Sequence, residues 1–183
     1  MPVLGIIASQ ISGHLTLPTS YDSIATTTLG SSTASVTFSS IPATYTHLQI
    51  RANVLGPSGG YDFLCQINGD TATNYNFHYL AGTGAVAASG AGTTTAFINL
   101  ANNFTQGTTI PGVAVVDILD YANTNKYKTT RALAGADANG SGWLQLGSGL
   151  WRNTAAITSI TIYLASSQSF STNSSFALYG LKG

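Results

Sequence analysis

The stretch Thr44-Tyr45-Thr46-His47-Leu48-Gln49-Ile50-Arg51-Ala52-Asn53-Val54-Leu55 decides the fold class. Leu48, Ile50, Ala52 and Val54 alternate with His47, Gln49, Arg51 and Asn53. A period of two places the first set on one face of a strand and the second on the other. The segment therefore reads as a β-strand with one buried and one wet face. Gly56-Pro57-Ser58-Gly59-Gly60 ends it with a cluster of backbone breakers.

The same grammar extends in both directions. Upstream, Ala34, Val36 and Phe38 alternate with Ser35 and Thr37 until Ile41-Pro42 interrupts. Downstream, Tyr61, Phe63, Cys65 and Ile67 share one side, and Asn68-Gly69-Asp70 closes that run. Asn and Gly both tolerate the positive φ of a tight turn, and the Asp70 carboxylate is placed to accept backbone N–H bonds there. Tyr75 to Leu80 reads as a return strand, and residues 82–92, rich in Ala, Gly and Ser, as a long loop. Gly112 to Tyr121 is almost wholly apolar and predicts a central strand covered on both faces. Asn123-Thr124-Asn125 predicts a hairpin turn whose start Asp120 would hold through its carboxylate. A glycine-rich break is expected between Trp143-Leu144-Gln145-Leu146 and Leu150-Trp151. In the last two strands Ile160, Ile162 and Leu164, then Phe176 and Leu178, point inward. The sum is an all-β, antiparallel, jelly-roll-like sandwich of nine to ten strands with essentially no helix. It occupies residues 21–183 as one domain, behind an N-terminal arm over residues 1–20.

Composition narrows function. Charged residues are 7% of the chain and hydrophobic residues 44%, with six Asp, no Glu and a net charge of zero. A neutral chain with six Lys and Arg is a poor electrostatic partner for nucleic acid. No apolar run approaches a membrane-spanning helix, and one cysteine, Cys65, provides neither a disulfide framework nor a thiolate zinc site. The 25 Thr, 20 Ser, 20 Gly and 12 Asn predict an exterior of hydroxyls, amides and backbone. Such a surface lacks the repulsion that keeps molecules apart and suits a subunit that meets other subunits.

Chemistry-bearing patterns are sparse. Asp117 and Asp120 are three residues apart, which on a strand places them on opposite faces rather than as a catalytic pair. His14, His47 and His78 are scattered, with no metal-ligand spacing. Cys65 falls on the apolar side of its strand and reads as an inert buried thiol. No phosphate-binding or nucleophile-elbow motif is present. No enzyme activity, metal or cofactor is expected. The arm carries Val3, Leu4, Ile6 and Ile7 ahead of any basic residue, so it does not read as a secretory signal. Those side chains pack either on the chain's own sandwich or on a neighbouring subunit. Tyr61, Tyr75, Tyr79, Trp143 and Trp151 stand beside turns rich in Gly and Asn. Rings in that setting serve a core, a protein interface or a sugar face.

Five segments carry a family resemblance: QINGDTATNYNFHYL (66–80), VVDILDYANTNKYKT (115–129), LGIIASQISGHL (4–15), FSSIPATYTHLQIR (38–51) and SSFALYGLKG (174–183). Their order and spacing resemble small virion structural proteins of tailed bacteriophages, with Ile67 where an aromatic is commoner in that group. The resemblance implies a β-sandwich virion component, either of the tail fibre and baseplate region or decorating the capsid. Joined to the uncharged surface, it gives the leading expectation of a virion protein that associates with copies of itself, as a homotrimer, and with other virion proteins, in a tail fibre or appendage touching the host surface, including its glycans. The alternatives are a capsid decoration protein and, from the aromatic residues beside the turns, a carbohydrate-binding module. The resemblance supplies no catalytic residues.

Overall fold

The computed structural model describes residues 20–182. Twelve strands and a single 3-10 turn (Ala165–Ser167) run in the order β1 (Tyr21–Thr28), β2 (Ser35–Phe38), β3 (His47–Val54), β4 (Phe63–Ile67), β5 (Tyr75–Gly82), β6 (Ala87–Thr95), β7 (Ile98–Ala101), β8 (Gly112–Leu119), β9 (Lys128–Asp137), β10 (Gly142–Trp151), β11 (Ile160–Leu164) and β12 (Ser175–Leu181). They form an eight-stranded sheet, β1-β12-β3-β8-β9-β10-β5-β6, and a four-stranded sheet, β2-β11-β4-β7. Every ladder is antiparallel.

This order resolves into a jelly roll with an extension. Strands β1-β12-β3-β8 and β2-β11-β4-β7 are the two four-stranded sheets of a double Greek key, with the chain passing between sheets at successive strands. The hairpin β5–β6 is inserted between β4 and β7, and the hairpin β9–β10 between β8 and β11. Both inserts join the first sheet beyond β8. Among the described residues no helix is long and apolar enough to cross a membrane.

Alternation builds the core as the sequence predicts. Leu48, Ile50 and Val54 of β3 are buried, as are Ile160, Ile162 and Leu164 of β11 and Phe176 and Leu178 of β12. Phe63 stacks on Phe104 with ring centres 4.6 Å apart. Phe170 packs against Phe176 at 4.9 Å. The wholly buried Cys65 thiol has its pKa pushed up to about 12 by desolvation, so it is protonated and unreactive in the folded protein.

Several expectations are corrected. Among the described residues there are twelve strands rather than nine or ten, because β1 pairs where nothing was read and β6 where a loop was expected. Residues 82–92 are not a loop: a tight reversal at Thr83–Val86 leads into β6, whose small side chains hide its strand character. The glycine-rich break is not a break, since Gly147 and Gly149 lie inside the ten-residue β10. A Cβ at Gly149 would sit 2.3 Å from Ile98 Cγ2, so the glycine is there because β7 crosses it closely. β1 carries only half-buried and exposed residues and gives no core signal. Finally, Asn68-Gly69-Asp70 does not join a hairpin. It is a turn with φ of 52° at Asn68 and 66° at Gly69, closed by Asp70 N–H donating to the Ile67 carbonyl at 3.0 Å. It carries the chain from β4 in one sheet to β5 in the other.

Candidate interaction face

The register of the large sheet assembles a surface that no single segment displays. Arg51 of β3 lies opposite Val115 of β8, Val115 opposite Leu133 of β9, Leu133 opposite Leu146 of β10, and Leu146 opposite Leu80 of β5. All point away from the core, because their chain neighbours Ala52, Ala114, Val116, Ala132, Ala134, Gln145 and Ala81 are buried. The adjacent row brings Val113 and Leu144 to the two sides of Gly135. These six aliphatic side chains, Leu80, Val113, Val115, Leu133, Leu144 and Leu146, are between 40% and 64% exposed. Between them runs a groove of about 700 Å³, floored by Gly135 and flanked by Val113, Leu133, Leu144 and the 137–142 turn. The expectation that Gly112 to Tyr121 is covered on both faces is therefore corrected. β8 buries one face only, and its outer Val113, Val115 and Leu119 are open.

The row beyond is polar and already satisfied. Gln49 Nε2 donates to Asp117 Oδ1 at 2.8 Å, and Arg51 Nε donates to Gln49 Oε1 at 2.8 Å. The Arg51 guanidinium also lies over the Tyr21 and Tyr179 rings, 5.4 and 5.1 Å from their centres. Arg131 donates to Ser148 Oγ. The aliphatic band is thus bordered by charged groups held within the sheet by neutral hydrogen-bond partners and aromatic rings.

All six aspartates have structural partners. Asp22 pairs with Lys182 at 2.5 Å. Asp62 accepts from Asn103 N–H and Asn99 Nδ2, and burial, outweighing those bonds, raises its pKa. Asp117 is held by Gln49, and Asp137 accepts from Gly140 N–H in its turn. Asp120 departs from the expectation that its carboxylate holds the start of the following turn. The carboxylate instead pairs with Lys126 across the β8–β9 connection, and the Asn123 N–H goes to the Asp120 carbonyl. The Lys126 bond holds the Asp120 carboxyl below its ordinary range. Asn123 Oδ1 accepts from Asn125 N–H at 2.8 Å. Among the described residues no three of His, Cys, Asp or Glu gather as a metal site.

Asp70 is the most heavily used acid. Its carboxylate accepts from Ala72 N–H at 2.9 Å, Asn74 Nδ2 at 2.9 Å and Trp151 Nε1 at 2.8 Å. Its carbonyl accepts from the Tyr75 hydroxyl at 2.9 Å. Asn68 Oδ1 takes the N–H groups of Thr158 and Ser159. Desolvation opposes the charge on Asp70, but the bonds from Asn74, Trp151 and Ala72 win and its pKa is lowered. Three residues singled out for different reasons, Asp70, Tyr75 and Trp151, are one corner cluster.

That cluster corrects the proposed aromatic surface. Tyr75 and Trp151 are core side chains, 0% and 1% exposed, since each ring fills the sandwich end while its polar atom reaches the Asp70 turn. Tyr61, Tyr79 and Trp143 are half-buried. Tyr79 and Trp143 meet edge to face at 6.5 Å, and Trp143 Nε1 donates to Gln145 Oε1 at 3.0 Å. Trp143 also borders a smaller hollow with Gly59, Gly60, Thr83, Asn103 and Gln106. Val3, Leu4, Ile6 and Ile7 lie outside the described residues.

Sequence reasoning missed the aliphatic face. The available signal was alternation of size rather than polarity: Ala132-Leu133-Ala134 alternates small and large, with the small residues inside.

A scan against models of known families finds no match, and a search of curated proteins finds none. Among solved structures the chain is similar to a Caenorhabditis elegans galectin, at 9% identity and a TM-score of 0.37, covering 86% of this chain and 96% of that one. It is also similar to an alginate lyase in complex with an alginate tetrasaccharide, at 10% identity and a TM-score of 0.28, covering 76% and 70%. A Scytalido-glutamic peptidase matches at 11% identity and a TM-score of 0.29, covering 84% and 66%. Likenesses this distant say nothing of the site.

Proposed function

We propose that this chain is a non-enzymatic structural subunit of a tailed-bacteriophage virion that associates with copies of itself, as a homotrimer, in a tail fibre or appendage contacting the host surface. The observation that carries self-association is the aliphatic band across β8, β9, β10 and β5. A contiguous apolar band on a chain without net charge favours association with another subunit. The structural engagement of all six aspartates supports a scaffold rather than a catalyst. The virion setting rests on the resemblance of the five segments. Sedimentation velocity of the purified full chain tests the reading: a trimer is expected, and a monomer at high micromolar concentration overturns it. Densitometry of virions against the major capsid protein separates an appendage, present in few copies, from the capsid decoration alternative, present in many.

One observation favours a carbohydrate-binding reading as second: the half-buried Trp143 beside the amides of Asn103 and Gln106 and the Thr83 hydroxyl. Saccharide binding that is abolished by Trp143→Ala would establish it.

A further inference from the structure

We propose that the groove floored by Gly135 receives the apolar segment that precedes Ser20, supplied by a second copy of this chain. The inference rests on the self-association reading and names the piece that would mediate it.

Three observations carry it. The first is area. The aliphatic band spans the three strand spacings from β8 to β5 and two residue rows, about 300 Å² per copy from strand dimensions. Two such faces pressed together would bury roughly 600 Å², short of the ~1,200 Å² of a stable specific interface. A narrow band suits an extended segment better than a second flat face.

The second is chemistry. Residues 1–19 contain no Asp, Glu, Lys or Arg, and they include Ile6, Ile7, Ile11 and Leu15. The groove walls are Val113, Leu133 and Leu144, with Arg51 and Asp137 at its margin held by hydrogen bonds to Gln49 and to the Gly140 N–H. An uncharged apolar segment matches the aliphatic walls.

The third is direction. Through the register, Tyr21 aligns with Leu181, His47 and Leu119, at the end of the sheet away from the groove, while Thr28 aligns with Ser175, Asn53 and Val113. The chain therefore enters β1 at the far end and runs toward the groove's level. Tyr21 is about 24 Å from Val113, three strand spacings across and six residues along. The axis of β1, extended beyond Tyr21, points away from the groove of the same molecule, so a neighbour's groove is the one that needs no reversal.

Cysteine trapping in the full chain tests this. Ile7→Cys and Leu144→Cys are made separately, mixed and oxidised, with Thr37→Cys on the outer face of the other sheet as the control partner. The buried Cys65 does not compete. Each variant is first shown to unfold at the wild-type temperature, and Ile6→Cys and Ile11→Cys cover a shift of register. The expected result is a disulfide-linked pair between the two variants, roughly tenfold or more over the control, because docking raises the local thiol concentration. A bridge formed only within the doubly substituted chain overturns the inference in favour of docking on the same copy. Linkage of Leu144→Cys to itself overturns it in favour of face-on-face association. With no linkage but a sedimenting trimer, the inference fails and self-association stands; with no linkage and a monomer, both fail.

Discussion

Over part of β8, β9 and β10 the inner side chains are smaller than the outer ones. Inside are Ala114, Ala132, Ala134, Ala136, Gly147 and Gly149; outside are Val113, Val115, Leu133, Leu144 and Leu146. The inner face also carries larger residues, Val116 and Ile118 of β8 and Gln145 and Trp151 of β10. A sheet with one wet face ordinarily buries its large residues and exposes polar ones. In β3, two strands from β9, that rule holds, with Leu48 and Ile50 inside and Gln49 and Arg51 outside. The inversion has a cause on each side. Inside, β7 lies so close to β10 at Gly149 that a Cβ there would meet the Ile98 side chain. Outside, burial against the described residues does not account for the leucines, which under the proposed function would meet another subunit.

The comparison can be broken at graded cost. The largest effect is expected at the corner that pins the inner side: Trp151→Ala should lower stability by about 3–5 kcal/mol in urea unfolding, since it empties a fully buried ring site. Gly149→Val drives a side chain into Ile98 and should cost about 3 kcal/mol by overpacking; an unchanged midpoint would show that β7 does not constrain β10. Asp70→Ala strands Trp151 Nε1 and should cost about 2 kcal/mol at neutral pH. Its sign with pH follows from the lowered folded pKa of Asp70. The contribution is complete above the ordinary carboxylate pKa of about 4 and is lost as pH falls through the folded value. The gap between wild type and Asp70→Ala should therefore close in strong acid, and a gap constant from neutral pH to pH 2 would refute this account. The smallest effect on folding belongs to the outer face. Leu133→Thr and Leu146→Thr keep strand propensity and should shift stability by no more than about 0.5 kcal/mol, yet weaken self-association in sedimentation. Large losses of stability there would mean that the outer leucines belong to the fold.

The jelly roll was legible wherever polarity alternates, as in β3, β11 and β12. It was illegible where the strand's cues are not polar. β6 is Ala, Ser, Gly and Thr with no large side chain, and the glycines of β10 record a close backbone approach that only the tertiary structure supplies. β8 read as doubly covered because its sequence is apolar in both phases, and composition cannot say whether the second cover comes from the same chain. The turn chemistry of Asn68-Gly69-Asp70 was readable because it is local. That Tyr75 and Trp151 converge on it was not, because Trp151 arrives from 81 residues away.

The insertion pattern of the two hairpins has an architectural consequence. Leu80, Leu133, Leu144 and Leu146 sit on β5, β9 and β10, outside the eight strands of the double Greek key. Val113 and Val115 lie on β8, so the outer aliphatic band crosses the β8–β9 seam from the frame onto the inserted hairpins. Four of its six side chains can therefore change on the inserts without altering a strand of the sandwich that supports them.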